Sequence, residues 1–93
     1  MDAPREFSGT TPSGFAFTVP ASALNNMELM DMIADVEGER PELMGKLLAM
    51  LLGKEQRAKL YDHLRTESGI VPLTAVLQEV TAIFETIGSA GKN

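Results

Sequence analysis

The stretch from Leu43 to Arg65 constrains the fold most, because its hydrophobic pattern changes at one glycine, Gly53. Before Gly53, apolar residues cover more than one face of any helix, which is typical of a segment buried on several sides. These residues are Leu43, Met44, Leu47, Leu48, Met50, Leu51 and Leu52. After Gly53 the apolar residues form a narrower stripe among basic side chains. The pattern predicts a buried helix, a break at Gly53 and then a basic amphipathic helix.

Two further segments have the apolar spacing of helices. Leu29–Val36 has apolar residues at i, i+3, i+4 and i+7, and Pro41 then suits the first position of the next helix. The last stripe, Leu73–Ile87, keeps helical spacing over four turns, and Gly88 ends it. Its opposite face carries polar residues, among them Glu79. With short connections, consecutive helices become neighbours, so the fold class is mainly α, a compact array of about four helices.

The two ends of the chain differ in composition from the rest. Residues 1–14 are rich in Gly, Pro, Ser and Thr and are predicted to form a flexible N-terminal arm. Residues 88–93 are predicted to form a flexible C-terminal tail. Residues 15–87 then make up one helical domain between disordered ends.

Phe15 and Phe17 belong to a short run, residues 15–19, in which aromatic and β-branched residues alternate before Pro20. One interpretation is a short N-terminal strand, which needs a partner and could pair with the same strand of another copy. The other interpretation is an extended arm whose two Phe rings fill the core. The sequence leaves both interpretations open.

A helical domain of this size, 15–87, is only marginally stable by core burial alone. Small domains usually gain stability from disulfides, metals or partner subunits. The chain has no cysteine and one histidine, which removes the first source and most of the second. Self-association is therefore the expected source of additional stability.

No group of residues has the pattern of a catalytic, metal or cofactor site. His63 is the one near-neutral titrating side chain and is expected on a polar helix face. The i, i+4 pair Asp31 and Asp35 lacks a neighbouring Cys or His and lies outside any calcium-loop pattern. Gly53 and Lys54 lack the upstream glycine of a phosphate-binding loop. We therefore expect a protein that is not an enzyme and that has no cofactor and no metal.

Charge is distributed unevenly along the chain. Residues 28–42 carry six acidic side chains against Arg40, whereas residues 46–65 carry five basic ones against Glu55 and Asp62. Intramolecular pairing or ordinary solvated faces would explain this pattern. Head-to-tail contact between copies would explain it too, and would give a ring or an open spiral. The candidate self-association or partner surface comprises Phe15, Phe17, Asp31, Asp35, Lys54, Arg57 and Arg65.

Nucleic acid and membrane are not the expected partners. The net charge is −5 and the pI about 4.7, which suits a phosphate backbone poorly. A small helix-turn-helix DNA-binding regulator is still an alternative, because a basic helix follows a helical turn. No apolar run reaches the roughly 20 residues of a membrane span, and the N-terminus lacks a signal-peptide pattern. The sequence favours an intracellular protein.

Four segments resemble the small tail assembly chaperones of long-tailed bacteriophages and prophages of Gram-positive bacteria. They are Phe15–Pro20 (FAFTVP), Asn25–Met30 (NNMELM), Leu51–Arg65 (LLGKEQRAKLYDHLR) and Gly69–Pro72 (GIVP). The LLGKEQ run with YDHL after it is the most specific of these. The resemblance extends over residues 15–93 and carries no catalytic signature.

The resemblance implies a mainly helical, self-associating protein that binds the phage tape measure protein. Such a chaperone keeps the tape measure protein soluble in the cytoplasm of the bacterial host while tail tube subunits polymerise around it. The tail tube protein is then a second expected partner. The resemblance also implies that the chaperone is not part of the mature virion.

Overall fold

The computed structural model describes residues 6–38 and 40–90 of the chain. Two strands come first, β1 (Glu6–Thr10) and β2 (Ala16–Pro20). They are followed by the helices α1 (Ala21–Leu24), α2 (Met27–Gly38), α3 (Met44–Leu64) and α4 (Leu73–Ala90). A 3₁₀ turn at Pro41–Leu43 leads into α3. The predicted fold class is confirmed, since the described part of the chain is a mainly helical array with a short N-terminal sheet.

The sheet is an antiparallel hairpin in which Phe7 lies opposite Val19 and Gly9 lies opposite Phe17. The turn is closed where the N–H of Thr11 donates to the carbonyl oxygen of Phe15 over 2.9 Å. The sequence predicts a flexible arm over residues 1–14, whereas residues 6–14 form β1 and this turn. Residues 1–5 of that arm lie outside the described residues.

The sequence does not predict β1 because Gly9, which has no side chain, occupies one of the two core-facing positions of the strand. A Cβ atom on Gly9 would lie 2.7 Å from Thr86 Cγ2 and 3.1 Å from the ring of Phe17. A larger residue there would push the hairpin away from α4. With Phe7 as the one large apolar side chain in β1, the sequence shows no alternation that would predict a strand.

Both interpretations of residues 15–19 are partly right. Residues 16–20 form a strand, but its partner is β1 of the same chain rather than another copy. The rings of Phe15 and Phe17 nevertheless fill the core, with 7% and 2% of their surface exposed. The alternation predicted the strand, and burial of the rings follows from the helices beneath it.

The helices begin and end close to the predicted positions. The side-chain oxygen of Asn26 accepts a hydrogen bond from the N–H of Glu28 at 3.0 Å and so caps the start of α2. The single turn α1 was not predicted. At the other end, α4 continues to Ala90, two residues past Gly88, where the sequence predicts the tail to begin. Residues 91–93 of that tail lie outside the described residues.

Gly53 divides α3 into two halves, residues 44–52 and 54–64. Its backbone angles, φ 84° and ψ 160°, are non-helical and belong to a region that essentially only glycine occupies. The predicted break between a buried helix and a basic amphipathic helix is therefore present as a kink inside one longer element. The kink lets the two halves take different directions.

The core lies between the hairpin and the helices. β2 packs against α3 and β1 against α4, while α2 and α4 also pack against α3. The first half of α3 is thus covered from several sides, as its apolar pattern predicts. The buried apolar side chains are Phe15, Phe17, Val19, Leu29, Met44, Leu47, Leu48, Leu51, Leu52, Leu60, Val76, Val80 and Ile83.

Two polar contacts hold the hairpin turn onto the helices. The hydroxyl of Thr11 donates to Glu79 Oε1 of α4 over 2.8 Å, and both residues are buried. The hydroxyl oxygen of Ser13 lies 3.1 Å from Nε2 of His63 in α3. The sequence placed Glu79 on the polar face of α4. It is buried instead because the turn covers that part of the helix, and Thr11 supplies the hydrogen bond that a buried carboxylate needs.

We predict that Leu51→Asp lowers the free energy of unfolding by about 4 kcal/mol or more, because it buries an unpaired charge. Leu51 has no exposed surface, whereas Met27 is 70% exposed. Met27→Asp is the matched control and should change stability by less than about 0.5 kcal/mol. Urea unfolding followed by circular dichroism measures both. Equal effects of the two substitutions would mean that Leu51 is not in the core.

We also predict that Gly53→Ala lowers the free energy of unfolding by about 1–3 kcal/mol, because alanine is strained at a positive φ. There is open space around the position, so a steric clash does not contribute. Gly88→Ala in α4, also in open space, should instead raise stability by up to about 1 kcal/mol. Thermal unfolding of both variants checks the contrast, and a stabilised Gly53→Ala protein would contradict the kink.

Candidate protein-binding groove

A groove of about 520 Å³ lies between α2 and α4, with the first half of α3 as its floor. It is mostly apolar. The lining residues are Met30, Ile33, Val36, Glu37, Met44, Leu47, Leu77, Val80, Thr81, Phe84 and Glu85. Grooves of this kind, apolar inside with a few polar groups at the edge, are the usual binding sites for ligands and for partner helices.

The groove stays open because α2 and α4 each pack on α3 and leave their facing apolar side chains partly uncovered. On α2, Leu29 is fully buried, while Met30 is 40% exposed and Ile33 is half-buried. On α4, Val80 is buried while Leu77 is 38% exposed. The apolar stripes of both helices are wider than the core can cover. Such a contiguous exposed apolar surface typically marks an interaction site.

The edge of the groove is acidic. Glu37 of α2 and Glu85 of α4 are among its lining residues, and none of the described lining residues is Lys or Arg. Asp31 and Asp35 are exposed on α2, next to the groove wall in sequence. A partner with basic residues flanking an apolar segment would be attracted to this edge, which favours both encounter and specificity.

Methionine side chains contribute to the groove wall and floor. Met30 lines the α2 wall, and Met44 lies at the floor with 5% of its surface exposed. Met27 is 70% exposed one turn before Met30 on the same helix. Unbranched, polarisable methionine adapts to irregular surfaces, so a wall that contains it can accommodate more than one partner shape.

The predicted partner surface is only partly accessible. Phe15 and Phe17 were proposed as contact residues, but both are buried in the core of the same chain. Their burial follows from the hairpin, which turns the core-facing side of β2 onto α3. These two residues are therefore not on a surface that a partner could reach.

Within the described residues, the acidic residues of the predicted partner surface form no ion pair with its basic residues. Asp31 and Asp35 of α2 are exposed, and so is Lys54 of α3. The ion pairs found in that part of the chain are both local, Arg40 with Glu42 and Arg65 with Asp62. Intramolecular pairing between α2 and the second half of α3 is thus not seen there. The charges of α2 lie on a solvated face.

Two of the predicted basic contact residues have structural contacts inside the chain. Arg57 donates to the carbonyl oxygen of Gly45 over 2.9 Å and lies over the ring of Tyr61. Arg65 donates to Asp62 at 3.2 Å and to the carbonyl oxygen of Gly69 at 3.2 Å. These bonds stabilise the second half of α3 and the following turn. They also leave each guanidinium with fewer N–H groups that could donate to a partner.

His63, the one histidine, is exposed and contacts the hairpin turn rather than another titratable group. Its Nε2 atom lies 3.1 Å from both the hydroxyl and the carbonyl oxygen of Ser13, and its ring lies 5.8 Å from that of Phe15. Across residues 6–38 and 40–90, no three His, Cys, Asp or Glu side chains are placed to hold a metal ion. The arrangement of His63 suits support of the turn.

Comparisons of the chain with protein-family models, with curated proteins and with solved structures find no match. Within the described residues, no helix combines the length and the apolar character that crossing a membrane requires. The groove and the sequence resemblance are therefore the observations that bear on function.

The groove is not predicted by the sequence. Its α4 wall, Leu77 with Phe84, belongs to the apolar stripe Leu73–Ile87, for which the sequence does not separate core-facing from partner-facing residues. One signal was present: the apolar stripe of Leu73–Ile87 is broad for so small a domain, and a small core cannot cover all of it. Which side of the stripe stays uncovered depends on how α2 and α4 are spaced on α3, and a local pattern does not contain that information.

Proposed function

We propose that this protein is a non-enzymatic phage tail assembly chaperone that self-associates and binds the tape measure protein through the groove. The observation that carries the proposal is the open apolar groove with its acidic edge. The resemblance of Phe15–Pro20, Asn25–Met30, Leu51–Arg65 and Gly69–Pro72 to such chaperones supplies the identity of the partner. Neither the proposed binding nor the proposed chaperone role needs a cofactor.

In this proposal an amphipathic helical segment of the tape measure protein lies in the groove. Its apolar residues at i, i+3, i+4 and i+7 would contact Met30 and Ile33 on one wall and Leu77 and Phe84 on the other. Burying both apolar surfaces stabilises the complex by roughly 25 cal/mol per Å² of apolar area removed from water. The same burial removes the surface through which a long, apolar tape measure chain would aggregate.

The acidic edge gives the proposed binding its selectivity. Glu37 and Glu85 would favour segments that carry Lys or Arg beside the apolar face and would disfavour acidic ones. Contacts at an exposed edge act mainly on the rate of association, so the complex can still dissociate when tube subunits replace the chaperone. This is consistent with a chaperone that acts in the host cytoplasm and is not part of the mature virion.

The proposal predicts that substitutions on the two groove walls weaken binding to the tape measure protein. The test variant is Met30→Gln with Leu77→Gln, in which both residues line the groove. The control variant is Met27→Gln with Leu73→Gln, which changes the same residue types on the same helices at positions 70% and 48% exposed. Neither pair is buried, so both proteins should fold normally.

Co-expression with overlapping tape measure fragments, followed by measurement of the soluble fraction and of affinity by titration calorimetry, tests this prediction. The wild type and the control should solubilise at least one fragment. The groove variant should bind it about 10–100-fold more weakly, since it loses about 1.4–2.8 kcal/mol of apolar contact. If no fragment becomes more soluble, or if both variants bind alike, the groove is not the tape measure site.

The helix-turn-helix alternative makes a different prediction, which a DNA retention assay checks. A DNA-binding protein of this size would be retained on duplex DNA at low ionic strength and released as salt rises. We expect no such retention, because Arg57 and Arg65 are engaged within the chain and the net charge is −5. Salt-dependent retention would favour the regulator over the chaperone.

A further inference from the structure

The outer edge of β2 is closed by a side chain. Gln56, in the second half of α3, accepts from the N–H of Thr18 at 2.9 Å and donates to the carbonyl oxygen of Thr18 at 2.7 Å. Its amide therefore satisfies both outward backbone groups of Thr18, the central residue of β2, and occupies the place where a neighbouring strand would pair. The same amide nitrogen also lies 2.8 Å from the carbonyl oxygen of Leu52, which fixes the position of the Gln56 side chain.

The outer edge of β1 has no such cover among the described residues. Because Thr18 uses its N–H and C=O on Gln56, its partner Ser8 belongs to a pair that is not hydrogen-bonded across the hairpin. The N–H and C=O of Ser8 therefore point away from β2, and by alternation so do those of Glu6 and Thr10. In the described part of the chain these groups accept and donate no hydrogen bond outside the hairpin. An open edge of this kind is a template for another strand.

We propose that the open edge of β1 pairs antiparallel with β1 of a second copy, around a twofold axis at Ser8. The outward backbone groups at alternate positions of β1 place Ser8 opposite Ser8 of the second copy. Glu6 then lies opposite Thr10 of the second copy, and Phe7 lies opposite its Gly9. The product is a four-stranded sheet in the order β2, β1, β1, β2 that spans two chains.

A second copy suits this edge because the strand is complementary to itself in that register. The one charged residue, Glu6, meets Thr10 rather than another carboxylate, so like charges are not opposed. Phe7 is half-buried in the monomer, and in this register it lies opposite Gly9 of the other copy, an aromatic–glycine cross-strand pair. A twofold contact of this type is closed, and Gln56 seals the far edge of each chain, so assembly through the sheet stops at two copies.

The contact surface and the groove have no residue in common, since none of Glu6–Thr10 lines the groove. The inference specifies the self-association that the proposed function includes, but it rests on the hydrogen-bond geometry of the sheet. A strand edge of five residues is a small interface. We therefore expect a concentration-dependent dimer with a dissociation constant on the order of 0.1–1 mM.

Sedimentation equilibrium of the wild type, Ser8→Pro and Ser8→Thr tests the proposal. Proline removes the outward N–H of Ser8, which the hairpin itself does not use, so an edge strand tolerates it. Threonine keeps the N–H and favours strands. We expect the wild type and Ser8→Thr to dimerise with similar dissociation constants, and Ser8→Pro to dimerise at least tenfold more weakly with a melting temperature close to that of the wild type.

A crosslinking experiment gives an answer that does not depend on how well Ser8→Pro folds. The chain has no cysteine, so a single introduced thiol reports one position. Ser8→Cys places two thiols across the twofold axis, where Cα atoms about 5.5 Å apart permit a disulfide. Ser22→Cys, an exposed position in α1, is the control. Mild oxidation should crosslink Ser8→Cys several-fold faster than Ser22→Cys.

Three results would overturn the proposal: a wild type that is monomeric up to about 1 mM, equal dimerisation of Ser8→Pro and the wild type, or equal crosslinking of the two cysteine variants. Binding to tape measure fragments separates this proposal from the function proposed above. Ser8→Pro should bind fragments as the wild type does, whereas the Met30→Gln and Leu77→Gln variant should bind fragments more weakly and retain the Ser8-centred dimer.

Discussion

Burial of the first half of α3 is the constraint on which the other elements depend. Leu47, Leu48 and Leu51 are almost completely removed from water, and they are covered by the hairpin, by α2 and by α4. Because this segment must be covered from several sides, the hairpin, α2 and α4 can pack in only a few arrangements. In a domain this small, each covering element contributes a large share of the stability, so losing one would expose the whole segment.

The groove follows from the same constraint. α2 and α4 each bury part of their apolar stripe in the core, with Leu29 and Ile83 fully buried. Between them, the flanking apolar side chains of each helix face an open space that no further element of the described chain fills. The domain therefore has a stable core and an apolar surface at the same time. Its described polar contacts, such as Thr11 with Glu79, connect the hairpin turn to the helices.

The predictable parts of the fold are those that depend on the sequence of one short segment. Helical spacing identified α2 and α4, and Gly53 marked the kink, because periodicity and backbone angles are properties of short segments. β1 was missed since Gly9 replaces the apolar residue that would have completed its alternation, and the closeness of Thr86 and Phe17 explains that glycine. The accessibility of Phe15 and Phe17 was misjudged for a related reason: their exposure depends on a hairpin partner that the local pattern does not predict.

Of the features of the groove, the sequence predicts only the acidic charge at its edge. The acidic character of residues 28–42 is visible in the sequence, and it reappears at the groove edge through Glu37. The groove itself arises from the distance between two helices that are far apart in sequence. Patterns within one helix say which residues are apolar, but the division between core and open surface depends on the other helices.

Gln56 has a consequence for how large an assembly of this chain can become. It belongs to the LLGKEQ run, one turn after the kink at Gly53, and its amide takes the place of a neighbouring strand beside Thr18. A two-stranded sheet with both edges open could add copies at either side and grow into a ribbon without limit. In the proposed pairing, this one side-chain amide limits the sheet to two copies, whereas an uncovered Thr18 would leave a second edge at which the sheet could grow into a fibre.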